Sequence, residues 1–265
     1  MPTGIGGEVG WWCPSLDNVG NGTTTLYDLV GNNNGTLTDM DALTDWVSDT
    51  ASGGVRALDF DGVNDRVIIG DVLDSVFTGA SARFTISAWV YPTSTSTTLT
   101  VMSKNADSFF SENQRQFLIR IANLKLVFVW QGALSSGRFR VVESINYLAI
   151  NAWSYISATF DATIADPNAK VSLFINGTSQ LYTIVESNIP SAPAFIQDGT
   201  ARLSLGAMVG SSGSSFTQPY SGRIDDVRVF NGLVSGANHL ILSSRRGYTL
   251  PSNTRRRRYA GAYGI

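Results

Sequence analysis

The segment RFTISAWVYP, residues 83–92, alternates without a break: Phe84, Ile86, Ala88 and Val90 fall on one side, Thr85, Ser87, Trp89 and Tyr91 on the other. A period of two marks a strand, because successive side chains leave opposite faces of a pleated sheet. Similar strand-like segments recur with turn residues between them: ALDFDG (57–62), DRVIIG (65–70), QFLIRIA (116–122), KLVFVWQG (125–132), GRFRVVES (137–144), AWSYISATFDA (152–162), AKVSLFINGTSQ (169–180), ARLSLGAMVG (201–210) and SGRIDDVRVFNG (221–232). Asn123-Leu124 between two of them predicts a hairpin. Such short connections leave no room for the helical crossovers that parallel strands need. The pattern predicts an all-β chain built as a two-sheet antiparallel sandwich. One short helix is expected near 234–244, and 247–265, GYTLPSNTRRRRYAGAYGI, reads as an extended tail.

Composition agrees with one large β domain. The chain has 265 residues, 26 of them Gly, and only 15% are charged. No apolar run reaches the roughly 18 residues of a membrane-spanning helix. The start, MPTGIGGEVGWW, lacks the basic and apolar regions of a signal peptide, so export by the general secretory route is not expected. A single cysteine, Cys13, excludes an internal disulfide and a cysteine zinc site, and beside Trp11 and Trp12 it reads as buried. The single histidine, His239, lies in the expected helix. No G-x-S-x-G motif supplies it with a nucleophile, so a packing or surface role is expected. Charge is unevenly placed. Residues 245–265 hold six arginines and no acid, which leaves residues 1–244 at −8 against a tail of +6. The chain therefore divides into a domain, 1–246, and an Arg-rich tail, 247–265.

ALDFDGVNDRVIIG, FTISAWVYP, NAWSYISATFD, VSLFINGT and YSGRIDDVRVFNGLVSGANHLIL follow one another in this order. The series resembles the laminin G-like jelly roll, the concanavalin A-like lectin/glucanase sandwich in its bacterial and viral form. The family pattern runs F-D-G-x-x-D, F-T-[IV]-x-x-W-V, W-x-x-[IV]-x-x-x-[FY]-[DN], [LF]-[YF]-[IV]-[DN]-G and G-x-[IL]-D-[DE]-[VL]-R-[IV]-[YFW]. The opening GWW with LYDLVGNNNGTL (26–37) also resembles the family's first strand and turn. The resemblance covers roughly 9–244. The Asp usual in the Y-[IV]-D-G hairpin is Asn176 here, still a good turn residue before Gly177. The implied fold is a jelly roll in which the first and last parts of the domain pair.

The adjacent carboxylates Asp225 and Asp226 stand out, since Asp is a poor strand residue and is seldom buried without a partner. The resemblance implies that Asp225 points to the turn after the first strand. Many superfamily members hold a structural calcium there, and the matching set here is Asp225, Asp28, Asn32 and Asn34. A hard cation with a Gly/Asn-rich carbonyl cage is sound chemistry. Two alternatives stand beside it. Arginines can neutralise the pair, with Arg228 on the side of Asp226, Arg223 on that of Asp225, and Arg66 or Arg56 within reach. Alternatively, the carboxylates cap turn N–H groups. Asp61, Asn64 and Asp65 read as an Asx-rich turn.

The family includes hydrolases, lectins and adhesion modules. A glycoside hydrolase needs two carboxylates about 5–10 Å apart. The laminarinase-like branch carries them in E-x-D-x-x-E, which is absent. Of the four glutamates, Glu8, Glu112, Glu143 and Glu186, none has an acid two residues away. The reading is therefore non-catalytic, with hydrolase kept as a minor alternative. Aromatic platforms for a glycan would come from Trp130, Tyr220 and Phe110, with Tyr147 and Phe109 as further candidates. The tail would dock on an acidic protein surface through Arg255, Arg256, Arg257 and Arg258, with Tyr259 and Tyr263 as anchors. These features suit an exposed component of a phage virion: a capsid decoration or a tail/fibre protein, with a capsid or tail protein as partner and a host surface glycan as ligand. The alternative is a lectin-like adhesin on a bacterial cell surface or outside the cell. An acidic body argues against nucleic acid as partner. The sequons at Asn21, Asn34 and Asn176 read as turns.

Overall fold

The computed structural model describes residues 4–95, 98–105, 115–131, 139–187, 195–210 and 213–249. In chain order the elements are β1 (Glu8–Trp12), β2 (Thr25–Leu26), β3 (Gly35–Thr38), β4 (Trp46–Ser48), β5 (Arg56–Asp61), β6 (Arg66–Gly70) and α1 (Asp74–Phe77). Next come β7 (Arg83–Pro92), β8 (Thr98–Asn105), β9 (Arg115–Ala122), β10 (Lys125–Gln131), β11 (Phe139–Tyr147) and β12 (Ser154–Asp161). The chain closes with β13 (Val171–Ile175), β14 (Thr178–Gln180), β15 (Tyr182–Ser187), β16 (Leu203–Leu205), β17 (Met208–Val209), β18 (Phe216–Thr217), β19 (Ser221–Asn231) and α2 (Gly236–Leu242). The expected antiparallel sandwich is present. One sheet runs β14-β13-β12-β7-β19-β5-β4, with β1 also on β19; the other runs β15-β11-β10-β9-β8-β16-β6-β3-β2.

The alternation of β7 sets the layers. Phe84, Ile86, Ala88 and Val90 enter the main core between the sheets, where Phe84 meets Phe117 and Phe160 from either layer. Full burial of one such ring stabilises the fold by about 2–3 kcal/mol. Trp89, on the other face, forms a second cluster with Tyr155, Phe230 and Leu242. The Asn123-Leu124 hairpin forms with both residues at positive φ, as a tight twisted turn requires. Asn176-Gly177 turns in the same way. Four-residue α1 was not legible, because Asp74–Phe77 is too short to show a period. His239 in α2 is fully buried, its ring stacked on Phe174 at 3.8 Å and its Nδ1 3.1 Å from the Tyr155 hydroxyl. Burial without a counter-charge lowers its pKa to about 4.

First and last strands pair, Trp11 opposite Arg228 and Trp12 opposite Val227. Past α2 the chain stays on the sandwich, since the Gly247 N–H donates to Asp226 and the Tyr248 carbonyl accepts from Arg228. Packing thus runs beyond the break expected after residue 246.

Candidate functional site

Strict alternation would send Asp225 and Asp226 to opposite faces of β19. Instead the register with β7 shifts between Asp225 and Arg228, and Asp226 sits at φ 51°. This bulge adds one residue. Ile224 and Val227 both reach the core, and both carboxylates leave on the other face. There they are fully covered but not bare. Asp225 accepts from the Ser15 hydroxyl at 2.5 Å, the Ser15 N–H at 3.2 Å and Arg246 Nη1 at 3.2 Å. Asp226 accepts from Trp11 Nε1 at 2.7 Å, from Arg228 Nε and Nη2 at 2.8 and 3.0 Å, and from the Gly247 N–H.

Arg246 is the second half of this device. Its buried guanidinium also donates to the carbonyls of Ala51, Arg56 and Asp49 and to the Asp49 carboxylate, and it stacks on the Trp153 ring at 4.0 Å. Gly54 makes the room, for a Cβ there would stand 2.3 Å from the guanidinium carbon. Burial, then the neighbouring Asp226, raise the Asp225 pKa to about 6 against the opposing pull of Arg246. The cluster ties β1, the 13–18 turn, β19 and the segment after α2 into one buried network. It is scaffolding, with every charge countered.

Hydrogen bonds do not join Asp225 to the rest of the expected calcium set. Asp225 shares no hydrogen-bond partner with Asp28, Asn32 or Asn34. Asp28 instead gathers donors: the N–H groups of Trp11, Val30 and Asn33. Asn34 accepts from the Asp28 N–H, and Asn32 is exposed. A carboxylate ringed by N–H dipoles is capping a turn and is poorly placed to cage a cation. Among the described residues no group of three His, Cys, Asp or Glu could hold a metal ion. Of the expected arginines, Arg228 pairs with Asp226 as the sequence suggests. Arg223 goes instead to Asp49, and Arg66 to Asp39.

The aromatic candidates separate clearly. Trp130 is fully buried and packs edge-on to Phe160 at 5.0 Å, because it lies on the inner side of β10, opposite Val129 and Gln131. Tyr220 is fully buried against Phe60. Neither ring is the exposed platform expected from the sequence, although Trp130 is among the residues bordering a cavity over β8–β11. Phe110 and Phe109 lie outside the described residues, as do Arg255, Arg256, Arg257, Arg258, Tyr259 and Tyr263. Tyr147 is exposed.

One cavity, of about 210 Å³, lies over the outer face of β8–β11. Its apolar lining includes the outward-facing Leu118, Val129 and Val141 with Phe139 and Met208, and Phe117 and Trp130 border it from the inner side of their strands. The cross-strand pairs Leu118–Val129–Val141 place three of these in one row. Around them stand Asn105, Gln116, Gln131, Gln218 and Arg120. Arg120 Nη1 donates to Gln218 Oε1 at 3.3 Å, and Gln218 is held at φ 55°, a conformation rare outside glycine. Gln116, only 1% exposed, spends its amide nitrogen on Asp74, while its Oε1 has no partner among the described residues. No described residue lining the cavity is an acid. An apolar floor with a few converging amides is the ordinary make-up of a small-ligand site. The signal for this face was present in the sequence, as Gln116, Arg120 and Gln131 are the polar positions of two strands that are otherwise apolar beyond their first residues, Arg115 and Lys125.

A family model described as the concanavalin A-like lectin/glucanases superfamily matches residues 61–238. No curated protein sequence matches significantly. Similar solved structures include domain 4 of AbnA, a GH43 extracellular arabinanase from Geobacillus stearothermophilus, in complex with arabinotriose: TM-score 0.58, 16% identity, 92% of this chain and all of that one. Another is the binding domain of Paraclostridial Mosquitocidal Protein 1, TM-score 0.60, 15% identity, covering 89% of this chain and 52% of that one. A third is botulinum neurotoxin type C, whose cell entry depends on interaction with two ganglioside molecules: TM-score 0.56, 15% identity, 89% and 50%. The chain spans about half the length of these two toxin structures.

Proposed function

The chain belongs to the concanavalin A-like lectin/glucanases superfamily, and we propose that within it this protein is a non-catalytic, lectin-like module that binds a glycan in the cavity over β8–β11. The observation that carries the reading is the cavity's chemistry. An apolar floor suits the carbon face of a sugar, and amides suit its hydroxyls. The described lining residues are apolar groups, amides and one arginine, a composition that favours binding over hydrolysis, which needs a pair of carboxylates. Two similar folds add support, since the AbnA domain is described with arabinotriose and neurotoxin type C with gangliosides.

The test is a glycan array followed by calorimetry on the full chain, with Val129→Trp as the blocking variant. Val129 is half-buried and points outward, so the added ring fills the cavity without entering the core. A hit that loses at least tenfold in affinity on this substitution supports the proposal. Hits unaffected by it, or no hits at all, refute it. Reducing-sugar release from β-glucans would restore the hydrolase reading.

Display on a virion, or on a bacterial surface, is the finer proposal. It rests on the contrast between an acidic body and a tail, 247–265, that carries the four arginines Arg255, Arg256, Arg257 and Arg258 and no acid. Removing residues 251–265 spares the packed Tyr248. That truncation is expected to abolish attachment to an acidic capsid or tail partner while leaving glycan binding intact.

A further inference from the structure

We infer that the binding face does not end at the cavity: Tyr147 forms a second, stacking subsite on the same side of β11, so the ligand is an oligosaccharide long enough to lie along β10 and β11. The inference rests on the glycan reading above and adds the length of the ligand and a residue that senses it.

Three observations carry it. Tyr147 is 65% exposed and is the one exposed aromatic among the described residues, whereas the other rings on these strands are buried or half-buried. Its ring is also held in place. Lys125 Nζ stands 5.2 Å from the ring centroid and 2.7 Å from the Glu143 carboxylate, which fixes the lysine between the two. Finally, Tyr147 faces the cavity side. Glu143 and Val141 are two residues apart on β11 and share a face, Val141 lines the cavity, and the Lys125 bridge brings Tyr147 to Glu143.

The separation follows from the register. Tyr147 pairs with Lys125 and Val141 with Val129, so the two subsites are four residues of β10 apart, about 13 Å. A monosaccharide in the cavity cannot reach the ring. A longer oligosaccharide can, and the strip between carries Glu143, Lys125 and Arg120, side chains that can bond to sugar hydroxyls. An exposed ring at that distance adds affinity only for chains that span it.

The experiment is calorimetry on the full chain with arabino-, xylo- and gluco-oligosaccharides, each from disaccharide to hexasaccharide, against wild type, Tyr147→Ala, Tyr147→Phe and Val129→Trp. The expected result is that wild-type affinity rises with chain length, and that Tyr147→Ala lowers hexasaccharide affinity about five- to tenfold. Disaccharide affinity stays unchanged in Tyr147→Ala, and Tyr147→Phe retains the wild-type profile. Val129→Trp weakens every length. Length-independent affinity, or a hexasaccharide affinity indifferent to Tyr147→Ala, overturns the second subsite while leaving the cavity reading standing. Failure of wild type to bind any member at any length would instead overturn both.

Discussion

Replacing Arg246 by Met keeps most of the side chain's bulk and removes its charge and donors. What remains is Asp225, fully buried, with Asp226 as its neighbour and only Ser15, the weak Cys13 thiol donor and the Asp226 N–H to satisfy it. Three carbonyls, of Ala51, Arg56 and Asp49, lose a donor as well. Removing one partner of a buried pair costs about 3–5 kcal/mol, because the other charge stays in low dielectric uncompensated. In a domain of this size that corresponds to a fall in melting temperature of roughly 10 °C.

The pH dependence separates charge from packing. Arg246 opposes the upward shift of Asp225, whose folded pKa is already about 6 against a usual 3.8. Without the arginine the folded pKa rises further, so the variant takes up a proton on folding over a wider range. An acid with a raised folded pKa contributes stability that is present at low pH and is lost as pH rises through that value. The penalty of Arg246→Met should therefore be largest at pH 7 and smaller by about 1–2 kcal/mol near pH 5, where Asp225 is already protonated. Urea unfolding at both pH values measures it. The double variant Asp225→Asn with Arg246→Met should be less damaged than the sum of the singles by more than about 1 kcal/mol. A penalty below about 1 kcal/mol at pH 7, or one equal at both pH values, refutes the assignment of Arg246 as the counter-charge of Asp225.

His239 acts in the opposite sense. Its pKa is depressed to about 4, so the stability of keeping it neutral is present above its ordinary 6.5 and is lost as pH falls through that interval, by up to about 3 kcal/mol. His239→Gln, which keeps a polar partner for Tyr155, should lose less stability than wild type between pH 7 and pH 4.5; parallel urea curves would show that the ring is not buried neutral. For the 28–34 turn and Asp225, melting temperatures with and without EDTA are expected to agree within about 1 °C. A larger drop, reversed by added calcium, would mean that a cation and not Arg246 satisfies Asp225.

How far the sequence carries depends on which kind of order a residue obeys. The period-two strands are legible because burying one face of a sheet leaves a repeating trace, and β7 could be assigned face by face. Trp130 shows the limit of that reading. Alternation separates Trp130 from Val129 and Gln131 but does not by itself say which side is the core. The weight of an aromatic pulls towards the ligand, whereas Gln116, Arg120 and Gln131 mark the face turned away from the core, although Gln116 and Gln131 are themselves covered. Asp225 and Asp226 fail differently. A bulge breaks the period at the two residues that look most anomalous, and nothing local announces that Asp226 will take a left-handed conformation. Arg246 was beyond reach for a third reason. It sits after α2 with no pattern around it, and its partners Asp49, Ala51, Arg56 and Asp225 lie between 21 and 197 residues away. Its role exists only once the first and last strands have paired. The doublet therefore shows the fold closing on itself, and the recognising residues are to be sought on the opposite sheet, along the amide-bearing face of β8–β11.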